Sequence, residues 1–106
     1  MITQLTEDNF DAAVALAPGT HVIRFWAGWC KPCSMILPIF MHVADEFKAA
    51  AHFAEVNIDE QPNLAAQFHI RSIPTIVVVK DGQALESNVG LSDKSKLSQL
   101  VMRHVA

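Results

Sequence analysis

The chain has no cluster of lysine or arginine: eight basic residues are outnumbered by eleven acidic ones, for a net charge of −3. Nothing is present to neutralise a line of phosphates, which excludes a nucleic-acid surface and a basic membrane-binding patch. No apolar run approaches the length needed to span a bilayer. The first ten residues, MITQLTEDNF, lack the basic start, apolar stretch and small-residue cleavage site of a secretory leader. Together these absences point to a soluble, cytoplasmic protein. Cysteine occurs only twice, so no disulfide framework staples the fold. None is needed, because 106 residues suffice to bury one core. There is no repeat, low-complexity segment or linker, and the expectation is one domain over 1–106.

What is present is a regular succession of elements. Thr6 is placed to cap a helix, with Glu7 and Asp8 in its first turn and Phe10, Ala13, Val14 and Ala17 on one face; Pro18 and Gly19 end it. Residues 21–27 read as a buried strand. GWCKPC then turns, and Pro32 suits the first turn of a helix whose stripe is Ile36, Ile39, Phe40, Val43 and Phe47. Pro38 falls inside that stripe and predicts a kink without a stop. A strand is expected over 52–58, a short helix over 62–68 and a β-branched strand over 75–79. Asp81 and Gly82 give a hairpin into a strand ending near Val89. Ser92 and Asp93 open a last helix, with Leu97, Leu100 and Val101 inward and Arg103 and His104 at its end. The order βαβαβαββα predicts an α/β protein, a mixed sheet with helices on both faces.

Both cysteines lie in RFWAGWCKPC, residues 24–33. In CKPC the first thiol precedes the helix that Pro32 opens, near unpaired backbone N–H groups and the positive end of the helix dipole. Both features stabilise a thiolate, and Lys31 adds a positive charge. Cys30 is therefore the candidate nucleophile, and Cys33, one turn inside the helix and more buried, the candidate resolving thiol. Two other readings stay open on spacing alone. A CxxC can be half of a zinc site, although His21, His42, His52, His69 and His104 are not paired at ligand spacing. The two cysteines can also be inert buried residues.

FWAGWCKPC, the later IRSIPT, Pro38 within the helix and VG before the last helix together resemble the thioredoxin family, in order and separation, over essentially the whole chain. The resemblance implies the thioredoxin fold and thiol-disulfide exchange, in which Cys30 attacks a protein disulfide and Cys33 releases the reduced product. It also implies that the chain binds no cofactor and no metal. Its partners would be disulfide-containing substrate proteins and a thioredoxin-reductase-like flavoenzyme that restores the dithiol with electrons from NADPH. A monomer is implied as well. By the same resemblance Pro74 is cis and faces the dithiol, where composition alone would favour trans. Ile73 would offer its backbone to an extended substrate. Trp29, Lys31, Pro32, Ile58, Val89 and Gly90 would complete the docking rim, and Trp26 would lie beneath the dithiol. A glycine at position 90 leaves room for another backbone.

Two charges depart from the family pattern. Where thioredoxins carry a buried aspartate this chain has Arg24, and where the neighbouring strand carries a buried lysine it has Glu55. Val22, Arg24 and Trp26 share one face of their strand, as do Phe53, Glu55 and Asn57. A lone buried charge is costly, so an Arg24–Glu55 pair beneath the site is expected. A guanidinium keeps its proton at any working pH, which leaves Glu55 as the candidate base for Cys33 and Arg24 as a direct stabiliser of its thiolate. Lys31 stands where glycine is usual and acts in the same direction. His69, at a helix C′ position, is expected to be a left-handed cap. The remaining histidines read as surface or strand-end residues. The expected activity is protein-disulfide reduction. A more oxidising isomerase or oxidant is the alternative suggested by Lys31 and Arg24, against which Pro32 resembles the reducing members. A protein-binding module with incidental thiols is the other alternative.

Overall fold

Five strands form one sheet in the computed structural model, which describes residues 2–105; Met1 and Ala106, the ends of the expected domain, lie outside the described residues. The strands are β1 (Ile2–Gln4), β2 (Thr20–Trp26), β3 (His52–Asn57), β4 (Thr75–Lys80) and β5 (Gln83–Val89). Their order across the sheet is β1-β3-β2-β4-β5. β3 runs parallel to both β1 and β2, while β4 is antiparallel to β2 and to β5. The mixed sheet expected from the element order is thus present. Hairpin closure follows from Asp81 and Gly82, which have φ of 53° and 80°. Positive φ at both central residues matches the twist of the flanking strands.

Three α-helices are α1 (Lys31–Glu46), α2 (Pro62–Gln67) and α3 (Lys94–Met102). α1 passes through Pro38 as one element. Asp93 caps α3 by accepting the Lys96 N–H. At the end of α2, His69 has φ of 55°, and the N–H groups of Ile70 and His69 reach the carbonyls of Ala65 and Ala66. This is the left-handed cap expected of His69.

The N-terminal helix differs from expectation. Thr6 and Asn9 bond reciprocally through side chain and backbone, at 2.8 and 3.1 Å, so Thr6 does cap a turn. The segment that follows, Asp11–Ala15, is π-helical, closed by a Leu16 N–H to Asp11 carbonyl bond of 2.8 Å. Phe10 and Val14 still point inward, because one wide turn keeps the two on a common side.

Strand alternation divides the core in two. Val22, Phe53, Ile76 and Val78 face α1 and α3, where Ile36, Phe40, Val43, Leu97 and Leu100 meet them. Ile23, Phe25, Val56, Val77 and Val79 face the opposite way, onto Phe10, Val14 and Leu64. Each fully buried side chain of this size contributes about 1.5–3 kcal/mol, so the two layers carry the fold. By the same alternation Arg24 and Glu55 fall on the α1 face, one step beyond Val22 and Phe53.

His21 lies at the start of β2, the strand-end position expected of it; it is buried, and its ring stacks on His52 at a centroid distance of 4.9 Å. Parallel register sets the two side by side, a neighbourhood that sequence separation hides. His104 is drawn with Arg103 to Glu86 on β5, at 2.8 Å for each closest contact. Arg103 first, then His104, holds the Glu86 carboxyl down to about 2. In an exposed cluster, screened by solvent, such contacts add little to stability.

Burial, reinforced by the adjacent His52, keeps the His21 pKa below the usual 6.5, against the opposing pull of its bond to the Ala17 carbonyl. The unfolded chain then takes up the proton first as pH falls, so stability is full above about pH 6.5 and is lost below it. Urea unfolding between pH 7.5 and 5 is expected to show this loss. In His21→Gln, which keeps a donor for Ala17 without a titrating ring, the slope is expected to flatten.

Candidate active site

The site forms where β2 ends and α1 begins. Cys30 is the N-cap of α1, and its sulfur accepts the Cys33 N–H at 3.2 Å. A sulfur here does what a capping oxygen does, taking one of the helix's otherwise unpaired donors. Pro32 occupies the first turn, where its missing N–H costs nothing. Cys33 follows one turn in, and the two cysteines are joined as a disulfide with Cα atoms 5.3 Å apart. Cys30 is 5% exposed and Cys33 1%, the asymmetry expected of an outer and an inner sulfur. Lys31 and Pro32 are exposed beside them.

Ala27, Trp26, Ile58 and Ile73 pack around the two sulfurs. The Ile73–Pro74 peptide bond is cis and Pro74 is buried. Its carbonyl accepts the Gly90 N–H at 2.8 Å, which ties the loop before β4 to the end of β5. Gly90 has φ of 90°, and a Cβ built on it would meet open space. Glycine is therefore required by the backbone conformation, and the space beyond it is vacant. Val89 is 61% exposed and Trp29 70%, so neither is core. Trp29 is held by its indole N–H, which donates to Asp59 at 2.9 Å. Sequence reasoning missed Asp59; no spacing signal links it to Trp29 thirty residues earlier.

Beneath the disulfide lies the expected charge pair. Arg24 and Glu55 are direct partners in the parallel register of β2 and β3. Arg24 Nε donates to Glu55 Oε2 at 2.8 Å, and Nη2 donates to the same oxygen. Nη1 donates to the Cys33 carbonyl at 3.0 Å. The guanidinium also lies 5.3 Å from the Trp26 ring and 5.9 Å from Phe40. Trp26 thus packs against both the guanidinium and the cysteine pair, and its indole N–H is buried without a partner among the described residues. Glu55 Oε1 accepts from the Gln4 amide at 2.7 Å. Glu55 therefore contacts Arg24 and Gln4, and Arg24 is the group that reaches Cys33. No cluster of three or more His, Cys, Asp or Glu side chains that could hold a metal occurs among the described residues.

Both members of the pair are nearly inaccessible, so removing one leaves a buried uncompensated charge. Arg24→Leu is expected to destabilise the oxidised protein by about 3–5 kcal/mol in urea unfolding, and the double variant Arg24→Leu, Glu55→Leu to recover most of that loss.

The sequence model of the thioredoxin family matches residues 1–103. The thioredoxin of Staphylococcus saprophyticus is 36% identical over 104 residues, covering 98% of each chain. That of Staphylococcus aureus is equally similar over the same lengths. The thioredoxin of Chlorobaculum thiosulfatiphilum is 34% identical over 102 residues, covering 96% of this chain and 94% of its own. With a helix-capping cysteine, its partner one turn on and a cis-proline loop alongside, the chain belongs to the thioredoxin family and is a thiol-disulfide oxidoreductase of the thioredoxin fold.

Proposed function

We propose that the chain reduces disulfides in other proteins. The observation that carries this reading is the position of Cys30, whose sulfur already accepts a helix N-terminal N–H and so has stabilisation ready for a thiolate. Starting from the dithiol, the Cys30 thiolate attacks one sulfur of a substrate disulfide. The substrate S–S bond breaks, a mixed disulfide forms, and the departing substrate thiolate takes up a proton. Cys33 then loses its proton and attacks the Cys30 sulfur. The mixed disulfide breaks, the second substrate thiolate leaves and takes up a proton from solvent, and the Cys30–Cys33 disulfide remains. Counting the proton that Cys30 gave to solvent on becoming a thiolate, two electrons and two protons have passed from the dithiol to the substrate. A separate flavoenzyme fed by NADPH restores the dithiol, and the chain works as a soluble cytoplasmic monomer.

Trp29, Ile58, Val89 and the open space at Gly90 receive the substrate, with the backbone of Ile73 beside cis-Pro74 pairing to it. Lys31 and Pro32 border the same opening. Arg24 favours the Cys33 thiolate directly. Its pair with Glu55 is neutral overall, yet the guanidinium is the member bonded to the Cys33 carbonyl while the carboxylate is bonded to Gln4 on the other side, and this order of charges favours a thiolate at Cys33. Glu55, its oxygens taken by Arg24 and Gln4, acts by holding Arg24 rather than by accepting the proton. Because a field that favours thiolates also favours the dithiol, this protein is a weaker reductant than relatives with the charges in the usual places.

With dithiothreitol as electron source, Cys30→Ser is expected to abolish reduction of insulin disulfides. Cys33→Ser is expected to accumulate a mixed disulfide with the substrate. A Cys30→Ser protein that still reduced insulin would sink the reading. Arg24→Asp is expected to lower the reduction potential measured against defined dithiothreitol ratios; an unchanged or higher potential would remove the role given to Arg24.

A further inference from the structure

We propose that Gln4, on the edge strand, is a positioning residue for the dithiol, acting through Glu55 and Arg24 on Cys33. The inference rests on the reading of Cys30 and Cys33 as the reacting pair. It follows from a continuous line of donors and acceptors: the Gln4 amide donates to Glu55 Oε1 at 2.7 Å, Arg24 donates through two nitrogens to Glu55 Oε2, and Arg24 Nη1 donates to the Cys33 carbonyl at 3.0 Å. Each oxygen of Glu55 therefore has one kind of partner, Gln4 on one side and Arg24 on the other.

Gln4 is built into place. It pairs with Glu55 in the β1–β3 register, the Leu5 N–H donates to the Glu55 carbonyl at 2.9 Å, and the Asn9 amide donates to the Gln4 carbonyl at 3.0 Å. What Gln4 restrains is a carboxylate with another place to go. Behind Glu55 opens a cavity of about 440 Å³, lined also by Ile2, Leu37, Met41, Ala44 and Asp45. Without the amide, Oε1 is left facing that cavity, which is open to solvent. A carboxylate that turns toward it withdraws Oε2 from Arg24, and the guanidinium loses the anchor that holds Nη1 on Cys33.

The amide has a second, purely electrostatic effect. A donor on Oε1 offsets part of the Glu55 charge, leaving more of the Arg24 charge to act at Cys33. Both effects have one sign, since losing the donor weakens the field that favours the thiolate and moves the equilibrium toward the disulfide.

The test uses the full chain equilibrated with defined ratios of reduced and oxidised dithiothreitol, read by tryptophan fluorescence, with a urea midpoint for each variant. Gln4→Leu removes the donor, Gln4→Glu replaces it at nearly the same size with an acceptor of like charge, and Gln4→Lys keeps a donor. Gln4→Leu is expected to shift the equilibrium about threefold toward the disulfide. Gln4→Glu is expected to shift it further the same way, and Gln4→Lys to match the parent or favour the dithiol. If Gln4 only fastens β1 to the sheet, urea midpoints fall while the equilibrium stays unchanged, and the proposal is overturned. A shift in Gln4→Glu without one in Gln4→Leu also overturns it, since that is the distant effect of an added charge. This equilibrium is measured whatever the chain reduces in the cell, so failure of the insulin assay in the parent protein would count against the reductase reading and leave the Gln4 result standing.

Discussion

An ion pair enclosed between α1 and the sheet sets conditions that much of the surrounding structure meets. Neither charge can sit alone at that depth, because each would lose its hydration without return. Arg24 and Glu55 must therefore lie on neighbouring strands, on the same face and at the same height. Parallel pairing of β2 with β3 in the observed register provides all three. The one remaining guanidinium donor group needs an acceptor, and the Cys33 carbonyl at the start of α1 supplies it. Through this single set of bonds the first turn of α1 is fixed over the end of β2, where the cysteines are.

The chemistry of the dithiol is layered on that arrangement. α1 contributes its unpaired N–H groups, which serve the outer sulfur from the helix side. Arg24 contributes a fixed positive group from the sheet side, nearest the inner cysteine. The two cysteines are thus contacted from different sides although only two residues separate them. Around them the fold gathers apolar groups from four segments: Trp29 after β2, Ile58 after β3, Ile73 just before β4 and Val89 at the end of β5. Beside them a Cβ built on Gly90 would meet nothing within 4 Å among the described residues.

The peripheral contacts differ in kind. Glu86 with Arg103 and His104 ties the end of α3 to an exposed strand, where solvent screens the charges. His21 and His52 lie at the far end of β2 and β3 from the cysteines, stacked where the register brings them together. The same two strands therefore carry a stacked histidine pair at one end and lead to the disulfide beyond the other, with the Arg24–Glu55 pair between.

Local patterns were sufficient wherever a residue's role depends on its near neighbours along the chain. The stripe Ile36, Phe40 and Val43, the β-branched run of β4, the Asp81–Gly82 turn, the left-handed His69 and the capping Cys30 all follow from periodicity, steric preference or helix-end chemistry. Strand parity even placed Arg24 opposite Glu55, since both had to face the same way. Family resemblance, not propensity, supplied the cis bond before Pro74. Tertiary structure alone decided the contacts made across the sheet or between loops: Gln4 on Glu55, Trp29 on Asp59, His21 on His52 and Arg24 on the Cys33 carbonyl. Each joins segments whose relative position depends on strand order and register. Those are fixed by burying two apolar faces at once, a condition on the whole chain that no short window of sequence contains.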